Sequence, residues 1–507
     1  MKIGWLTLTL LLPLVGAVAT ALVPKAKATL AKQLALAFSL VTLVLTAIIV
    51  VGYRANGAEK YAEDLTWIEA FGAHYALGLD GVGVVLIALT ALLTPIVLIA
   101  SWNDAKGGRW SEKSFFAWIL GLEALSIGVF AATDVFLFYV LFEATLIPMY
   151  FLIGGFGGAQ RSYAAVKFLL YSLLGGLLML ASVIGLYVVS ARAGEPSYLL
   201  SDLSQLDLST NTERWLFLGF FFAFAVKAPM VPFHTWLPDA AAEATPGTSV
   251  LLVGILDKIG TFGMLRFCLG LFPNASEWAT PVVLVLALIS VLYGALLAIG
   301  QTDIKRLIAY TSISHFGFIV MGIFALTSQG LVGSTLYMFN HGLSTAALFL
   351  VAGYLISRRG SARIADYGGV EKVAPVLAGT FLFAGLSSLA LPGLSPFISE
   401  FMVLAGVFSN HKVIAVIAVF GIVLAALYIL IMYQRLMTGP VRDGIEKLKD
   451  LNAREVFAIA PLALLIVAFG FYPKPVVDII EPAVKATMEH VGVSDKAPEI
   501  PVTEGQK

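Results

Sequence analysis

The chain has 507 residues, of which 59% are apolar and 13% charged, and its formal net charge at pH 7 is zero. Its mean hydropathy is +0.91. A soluble protein of this length needs a charged surface, and these charges are too few to form one. Zero net charge gives no indication of nucleic-acid binding. The single cysteine, Cys268, excludes a disulfide framework, a cysteine-rich zinc site and an iron–sulfur cluster held by this chain alone.

Apolar runs of about 20 residues recur along the chain, and each can cross a hydrocarbon core of roughly 30 Å as a helix. The sequence therefore predicts an all-α membrane protein with about 14 transmembrane helices. The first run follows Lys2, as in a signal peptide, but no small-residue cleavage site precedes Pro24, so we interpret it as a membrane span. The predicted spans are residues 3–23, 30–52, 78–101, 112–131, 134–154, 164–190, 215–237, 246–269, 279–299, 304–327, 329–356, 374–409, 411–434 and 453–472.

The distribution of lysine and arginine predicts the orientation of these spans. Counted with the span ends beside them, the odd-numbered connections carry 19 basic residues and the even-numbered connections carry 6. Basic residues accumulate in cytoplasmic loops, so the odd-numbered connections are predicted in the cytoplasm and both termini outside it.

Two lysines lie in the interior of predicted spans, away from the span ends: Lys227 in span 7 and Lys258 in span 8. A charge at mid-bilayer costs about 2.5–3.5 kcal/mol on insertion scales, so each needs a partner, a water-filled cavity or its neutral form. Hydrogen bonding between helices would explain one isolated buried polar residue. It does not explain a set that includes histidine, which titrates near neutral pH. The other titratable residues of this set are Glu143, His315, His341 and Glu400.

Other acidic residues in or near the spans are predicted to be structural. Glu123 lies in span 4 with no motif around it, which favours a role in hydrogen bonding between helices. Asp257 precedes Lys258, but successive side chains on a helix point about 100° apart. Asp257 is therefore either a local counter-charge or faces another helix. The aspartates at span starts are predicted to cap helix N-termini: Asp80, Asp134 and Asp303.

Two spans contain paired prolines that predict interrupted helices. Pro229 and Pro232 lie in AVKAPMVPFHTWLPDA of span 7, and Pro392 and Pro396 lie in LALPGLSPFISEF of span 12. An interior proline removes a backbone hydrogen bond and crowds the preceding turn. In a membrane such unwinding is tolerated where protein or water satisfies the freed carbonyls.

The two breaks are five spans apart, and interrupted helices at matching positions indicate a transporter built from repeats. Lys227 lies just before the first break and Glu400 just after the second, so a titratable group flanks each one. Proline kinks that served packing alone would not explain these charges.

Four segments resemble antiporter-like subunits, and most closely the subunit M family of proton-pumping NADH–quinone oxidoreductase, respiratory complex I. They are LFEATLIPMYFLIG (141–154), FAVKAPMVPFHTWLPDA (224–240), DIKRLIAYTSISHFGF (303–318) and LPGLSPFISEF (391–401). The resemblance covers essentially the whole chain and includes the mitochondrial counterpart, NADH dehydrogenase chain 4. It implies two five-helix repeats of inverted topology, helices 4–8 and 9–13. The implied divisions are 1–111, 112–270 and 271–437, followed by a last helix and tail at 438–507.

The resemblance also implies roles in proton transfer for particular residues. Glu400 separates subunit M from subunits L and N, which usually carry lysine at that position. After LPDA the chain continues AAEATPG, where the family often has a histidine, so a role for that histidine does not carry over. The residues that match the family's proton-transfer positions are Glu143, Lys227, His234, Lys258, His315, His341 and Glu400.

The expected function is proton translocation, with Glu143 and Lys227 as a switchable pair. The proton would then pass to Lys258, on through His315 and His341, and finally to Glu400. No G-x-G-x-x-G or Walker A sequence occurs, so we expect no cofactor or metal on this chain and expect the redox chemistry in other subunits. The expected partners are the neighbouring subunits L and N, the bilayer and protons. The expected location is the cell inner membrane.

Three alternatives remain. A multisubunit sodium/proton antiporter or a membrane-bound hydrogenase shares the fold and most of the motifs. A self-sufficient solute transporter would need an aromatic or polar solute cage, which the sequence does not show. A purely structural membrane subunit would not need buried lysines. After span 14 the chain begins apolar, as a segment at the membrane interface would, and ends in DKAPEIPVTEGQK, a composition typical of disorder.

Overall fold

The structure, a computed structural model, describes residues 4–106, 110–194 and 196–495. The N-terminal part comprises α1 (Trp5–Leu22), α2 (Ala28–Asn56), β1 (Glu63–Ile68), β2 (Ala73–Leu77), α3 (Gly81–Ala100), α4 (Glu112–Ala131), α5 (Val135–Ala144), α6 (Leu146–Phe156) and α7 (Arg161–Ala193). The middle part comprises α8 (Leu200–Leu203), α9 (Thr210–Lys227), α10 (Trp236–Glu243), α11 (Pro246–Leu251), α12 (Lys258–Gly263), α13 (Pro273–Ile299) and α14 (Ile304–Phe324). The C-terminal part comprises α15 (Ser328–Arg359), α16 (Pro375–Ser388), α17 (Ser395–Asn410), α18 (Lys412–Met437), α19 (Ala453–Phe471) and α20 (Lys474–Val491).

Twelve helices in the described part of the chain are long and apolar enough to cross a membrane. The all-α, multi-spanning fold class is therefore confirmed. The two predicted spans outside this set are spans 7 and 12, the two that carry paired prolines.

Span 7 is interrupted where its prolines predict. Helix α9 ends at Lys227, and α10 begins nine residues later at Trp236. Protein groups satisfy backbone atoms around the gap. The Trp236 indole donates to the carbonyl oxygen of Val226 at 3.0 Å, and the Val231 amide donates to the Ser290 hydroxyl at 3.0 Å. This is the condition under which unwound backbone persists at membrane depth.

Span 12 is also interrupted, but only one of its two prolines lies in the gap. Helix α16 ends at Ser388 and α17 begins at Ser395, so Pro392 falls between them and Pro396 falls in the first turn of α17. The first turn of a helix leaves its amides without intrahelical partners, so a proline fits there at no cost. Pro396 thus begins the second segment, and the predicted interruption of span 12 is confirmed.

The three predicted N-caps are confirmed. The carboxylate of Asp80 accepts the Gly83 amide at 2.6 Å, that of Asp134 accepts the Leu137 amide at 2.8 Å, and that of Asp303 accepts the Arg306 amide at 2.9 Å. Each cap fixes the start of a helix that faces the interior of the bundle.

The strands β1 and β2 and the helices α8 and α20 lie outside the predicted spans. Strands β1 and β2 pair antiparallel between α2 and α3. After the last span, α20 packs against α3 and α15, and Gly81 approaches it so closely that a Cβ there would lie 2.0 Å from the Ile479 carbonyl oxygen. The apolar start of the tail therefore buries its apolar side on the protein. At the polar end of the tail, the Asp495 carboxylate accepts a hydrogen bond from the Ser328 amide at 2.9 Å. The rest of the segment predicted to be disordered, residues 496–507, lies outside the described residues.

Ion pairs with at least one buried side chain join the connections at each end of the bundle. At one end Lys32 pairs with Glu112 and Arg358 with Glu455, all within or beside odd-numbered connections. At the other end Arg266 pairs with the Asp80 cap of α3. Each pair therefore joins two different connections of the same parity, odd with odd and even with even.

The Arg358–Glu455 pair yields a stability prediction. Arg358 donates to both carboxylate oxygens of Glu455, at 3.0 and 2.5 Å, and Glu455 is 4% exposed. Glu455→Ala leaves a buried guanidinium without its counter-charge, which costs about 3–5 kcal/mol for a buried pair. We expect the lower end of that range, because Arg358 keeps carbonyl acceptors.

Thermal unfolding of the purified protein in detergent tests this expectation. The matched control is Arg54→Ala, which removes a more exposed partner of Asp478 at 3.9 Å. Surface pairs of that kind contribute little. Equal unfolding temperatures for the two variants would show that the Glu455 pair does not stabilise the fold.

Candidate functional site

Span 8 runs through the centre of the protein and is not a regular α-helix. Two π-helical segments, Leu252–Leu256 and Met264–Leu269, lie on either side of α12, which begins at Lys258. A π-helical turn is wider than an α-helical turn and occurs mostly at functional sites. Every residue of this span from Gly247 to Leu269 is buried. The sequence places a lysine at the centre of this irregular, fully enclosed helix.

The Lys258 ammonium has two polar partners. Its Nζ donates to the Val253 carbonyl oxygen at 2.7 Å, within the first π-helical segment, and lies 2.8 Å from Nδ1 of His341 on α15. The other ring nitrogen of His341 lies 3.1 Å from the Thr345 hydroxyl. The Phe316 ring centroid is 5.2 Å from the same Nζ. A lysine and a histidine in hydrogen-bond contact can share or exchange a proton.

His315 and Tyr337 lie beyond His341. The ring centroids of His315 and His341 are 5.2 Å apart, and those of His315 and Tyr337 are 5.9 Å apart. In the described part of the chain, neither ring nitrogen of His315 has a hydrogen-bond partner. His315 is thus a buried imidazole that lies beside both neighbours and has the backbone of Ser388 as a further polar neighbour.

Glu400 closes this series. Its Oε2 accepts the Tyr337 hydroxyl at 2.7 Å, and the side chain is 5% exposed on α17, just after the break in span 12. Sequence reasoning missed Tyr337. Its position four residues before His341 puts both on one face of α15, which is the signal that could have identified it. The structure thus brings Lys258, His341, His315, Tyr337 and Glu400 together.

The order within this series differs from the expected one. The sequence predicted His315 between Lys258 and His341, whereas His341 is the residue in contact with Lys258. The reason is packing: the first π-helical segment of span 8 lies along α15, which carries His341.

Lys227 is the last residue of α9, at the edge of the break in span 7. Its side chain is 1% exposed, and its Nζ lies 5.0 Å from the Phe142 ring centroid and 5.6 Å from that of Phe168. Among the residues described, the Nζ has no hydrogen-bond partner. Glu143 follows Phe142 in the chain, and the charges of Glu143 and Lys227 interact. The two are electrostatic neighbours that are not joined by a hydrogen bond.

Glu143 itself is held against a glycine of α7. A Cβ on Gly176 would lie 1.6 Å from Oε1 of Glu143, so the carboxylate occupies the space that any larger residue would fill. The glycine therefore sets where the carboxylate stands.

His234 stands apart from the other candidates. It lies in the gap of span 7, and its ring packs edge-to-face on Tyr293 at 5.7 Å. Over the described ranges, no hydrogen bond, ion pair or ring contact joins it to another candidate residue. No contact in the described structure connects His234 to the other candidate residues. Its role in proton transfer therefore stays a prediction.

Glu123 does not have the role that the sequence predicted. It is 2% exposed, and neither carboxylate oxygen finds a hydrogen-bond partner within the described residues, so it does not bond one helix to another there. The reason is its apolar surroundings. It lies on the face of α4 that also carries Phe116 and Phe130, seven residues away on either side, and the Phe130 ring packs on Phe262 of α12.

Comparison with known proteins assigns the chain to a family. Residues 132–425 match the model of the family described as "NADH:quinone oxidoreductase/Mrp antiporter, TM". The matched range contains every candidate residue from Glu143 to Glu400. The chain therefore belongs to this family of antiporter-like membrane proteins.

Within that family, the chain is similar over almost its whole length to NADH-quinone oxidoreductase subunit M of Mycobacterium tuberculosis. The two are 51% identical over 537 residues, which cover 98% of this chain and 96% of that protein. Among solved structures, a chain of respiratory complex I from Thermus thermophilus with bound NADH matches with a TM-score of 0.88 and 32% identity, covering 96% of this chain and 100% of that one. A chain of the Mrp complex from Dietzia sp. shares the fold at 19% identity, with a TM-score of 0.83 and coverage of 96% and 99%.

The contact between Gly176 and Glu143 yields a prediction for this site. We expect Gly176→Ala to displace the Glu143 carboxylate and to lower proton translocation, because a Cβ cannot stand 1.6 Å from a carboxylate oxygen. The measurement is NADH-driven proton uptake by inverted membrane vesicles. The control is Gly379→Ala on α16, where a Cβ would meet nothing within 4 Å. If both variants translocate protons at the unsubstituted rate, the position of Glu143 is not critical.

Proposed function

We propose that this chain is a proton-translocating, antiporter-like membrane subunit of NADH–quinone oxidoreductase, driven by quinone reduction elsewhere in the complex. The observation that carries the proposal is the 2.8 Å contact of Lys258 with His341, deep inside the bundle. It begins a series of titratable groups that ends at the Tyr337–Glu400 hydrogen bond. The similarity to subunit M supplies the complex in which such a series would work.

The proposed mechanism is electrostatic gating. While Glu143 is ionised nearby, its field stabilises the Lys227 ammonium, which lies over the rings of Phe142 and Phe168. If the two groups move apart, the ammonium loses that field and its proton passes on toward Lys258. The absence of a hydrogen bond between them in the described structure fits a pair whose separation can change.

The energy that proton translocation requires is within the range that separating two buried charges can supply. Moving one proton against 100 mV needs about 2.3 kcal/mol. This equals about 1.7 pKa units, since one unit is worth 1.36 kcal/mol. Changing the distance between two buried charges can shift proton affinity by that amount.

We propose that the redox chemistry and its cofactors belong to other subunits and that this chain binds none. Subunits L and N are the proposed neighbours in the membrane. The proposed location is the cell inner membrane, and the basic connections predict that both termini lie on its non-cytoplasmic side. The four divisions 1–111, 112–270, 271–437 and 438–507, with two inverted repeats, remain part of the proposal, and the two helix breaks support it.

A subunit of a sodium/proton antiporter complex is the second candidate. The likeness to the Mrp chain, at 19% identity, shows a shared fold and does not discriminate. The 51% identity to subunit M, together with glutamate at position 400, favours the respiratory complex. Proton transport that requires sodium would favour the antiporter.

Replacement of Lys227 or Glu143 tests the proposal. We expect Lys227→Ala and Glu143→Ala to assemble into the intact complex and to translocate protons poorly, because each change removes one member of the switchable pair. The measurement is proton uptake by inverted vesicles during NADH oxidation. Lys485→Ala, at an exposed site on α20, is the control. Normal translocation in both test variants would show that protons do not pass through this pair.

A further inference from the structure

Asp257 is a buried carboxylate that the proposed series does not use. Its side chain is fully buried, and neither oxygen has a hydrogen-bond partner in the part of the chain that the structure describes. Burying an unpaired carboxylate costs far more than burying an apolar side chain. The residue therefore calls for a reason other than packing.

The packing of α12 shows which way Asp257 faces. One turn further on, a Cβ on Gly260 would lie 2.6 Å from both the Ala228 amide nitrogen and the Phe224 carbonyl oxygen. Residues three apart on a helix share a face. Asp257 therefore faces the C-terminal end of α9, where Lys227 is the last residue.

Lys258 points elsewhere. Successive residues on a helix are turned by about 100°, and the Lys258 ammonium contacts His341 of α15. Span 8 thus presents a carboxylate toward span 7 and an ammonium toward span 11. The charge of Asp257 interacts with the charges of both Lys227 and Lys258. Of the two alternatives left open by the sequence, the structure favours Asp257 facing another helix.

We infer that Asp257 carries the proton between Lys227 and Lys258. The inference rests on the proposed function. An N–H bond of the Lys227 ammonium breaks and an O–H bond forms on the Asp257 carboxylate. That O–H bond then breaks as a new N–H bond forms on the neutral Lys258 amine.

Charge balance gives this route its physical advantage. Before, during and after the transfer, the three groups have a total charge of zero: an ion pair, then three neutral groups, then a second ion pair. A proton moving between two lysines alone would leave a single positive charge in an apolar interior at every stage. Such an isolated charge is costly in a membrane protein.

Glu123 provides a matched comparison within the same chain. It too is a buried carboxylate with two unpaired oxygens, but no lysine of the described residues interacts with its charge. A variant at this position controls for the loss of an unpaired buried carboxylate as such.

The experiment compares Asp257→Asn, Asp257→Glu, Glu123→Gln and Lys227→Ala in the intact complex. Proton translocation is measured in inverted vesicles and normalised to the amount of assembled complex. We expect loss of translocation in Asp257→Asn, because the amide cannot take up and release the proton. We expect partial recovery in Asp257→Glu and no loss in Glu123→Gln.

Two outcomes separate this inference from the proposed function. Normal translocation in Asp257→Asn, with a defect in Lys227→Ala, would overturn the role of Asp257 alone. Normal translocation in both would overturn the proposed function as well. An equal loss in Asp257→Asn and Glu123→Gln would indicate a general effect of removing buried carboxylates and would also overturn the inference.

Infrared difference spectroscopy during turnover decides the question if Asp257→Asn does not assemble. Transient protonation of Asp257 predicts a carboxylic C=O stretching band whose position changes in Asp257→Glu. A spectrum that is unchanged in Asp257→Glu would contradict the inference.

Discussion

The burial of the Lys258 ammonium is the constraint on which the arrangement depends. An ammonium enclosed by protein within a bilayer must find acceptors or give up its proton. Here the acceptors are a backbone carbonyl oxygen at 2.7 Å and a histidine nitrogen at 2.8 Å. Neither hydrogen-bond acceptor is a fixed negative charge, and Asp257, whose charge interacts with that of Lys258, is not hydrogen-bonded to it in the described structure, so the site can hold a proton and release it. This property suits a relay better than it suits a structural contact.

Irregular backbone makes the site possible. A regular α-helix uses all its interior carbonyls, whereas the π-helical segment beside Lys258 presents the Val253 carbonyl to a side chain. The breaks in spans 7 and 12 place Lys227 at the end of one helix and Glu400 near the start of another. The titratable groups of this protein thus stand where the helices are least regular, and such places are the ones that can rearrange.

Much of this could be predicted from the sequence, because the relevant signals are local. The aspartate caps, the break in span 7 and the buried lysines each follow from residues within one or two turns. The role of Pro396 depended on where the next helix begins, and that position is set by packing of α17 against α15. The contact between His341 and Lys258, the partner of Glu400 and the direction of Asp257 depend on how helices rotate against each other. A single sequence does not specify those rotations. The two strands and α20 were missed because they are short or amphipathic and lie outside the apolar runs.

Replacing Lys258 by methionine tests the central claim most directly, because it removes the proton-binding group and keeps a flexible side chain of similar length. The measurement is the number of protons translocated per NADH oxidised by the reconstituted complex. The account predicts that the complex assembles and that this number falls, since the proton path from Lys227 to Glu400 is cut at Lys258, where the series begins. An unchanged number of protons per NADH in a fully assembled complex would contradict it.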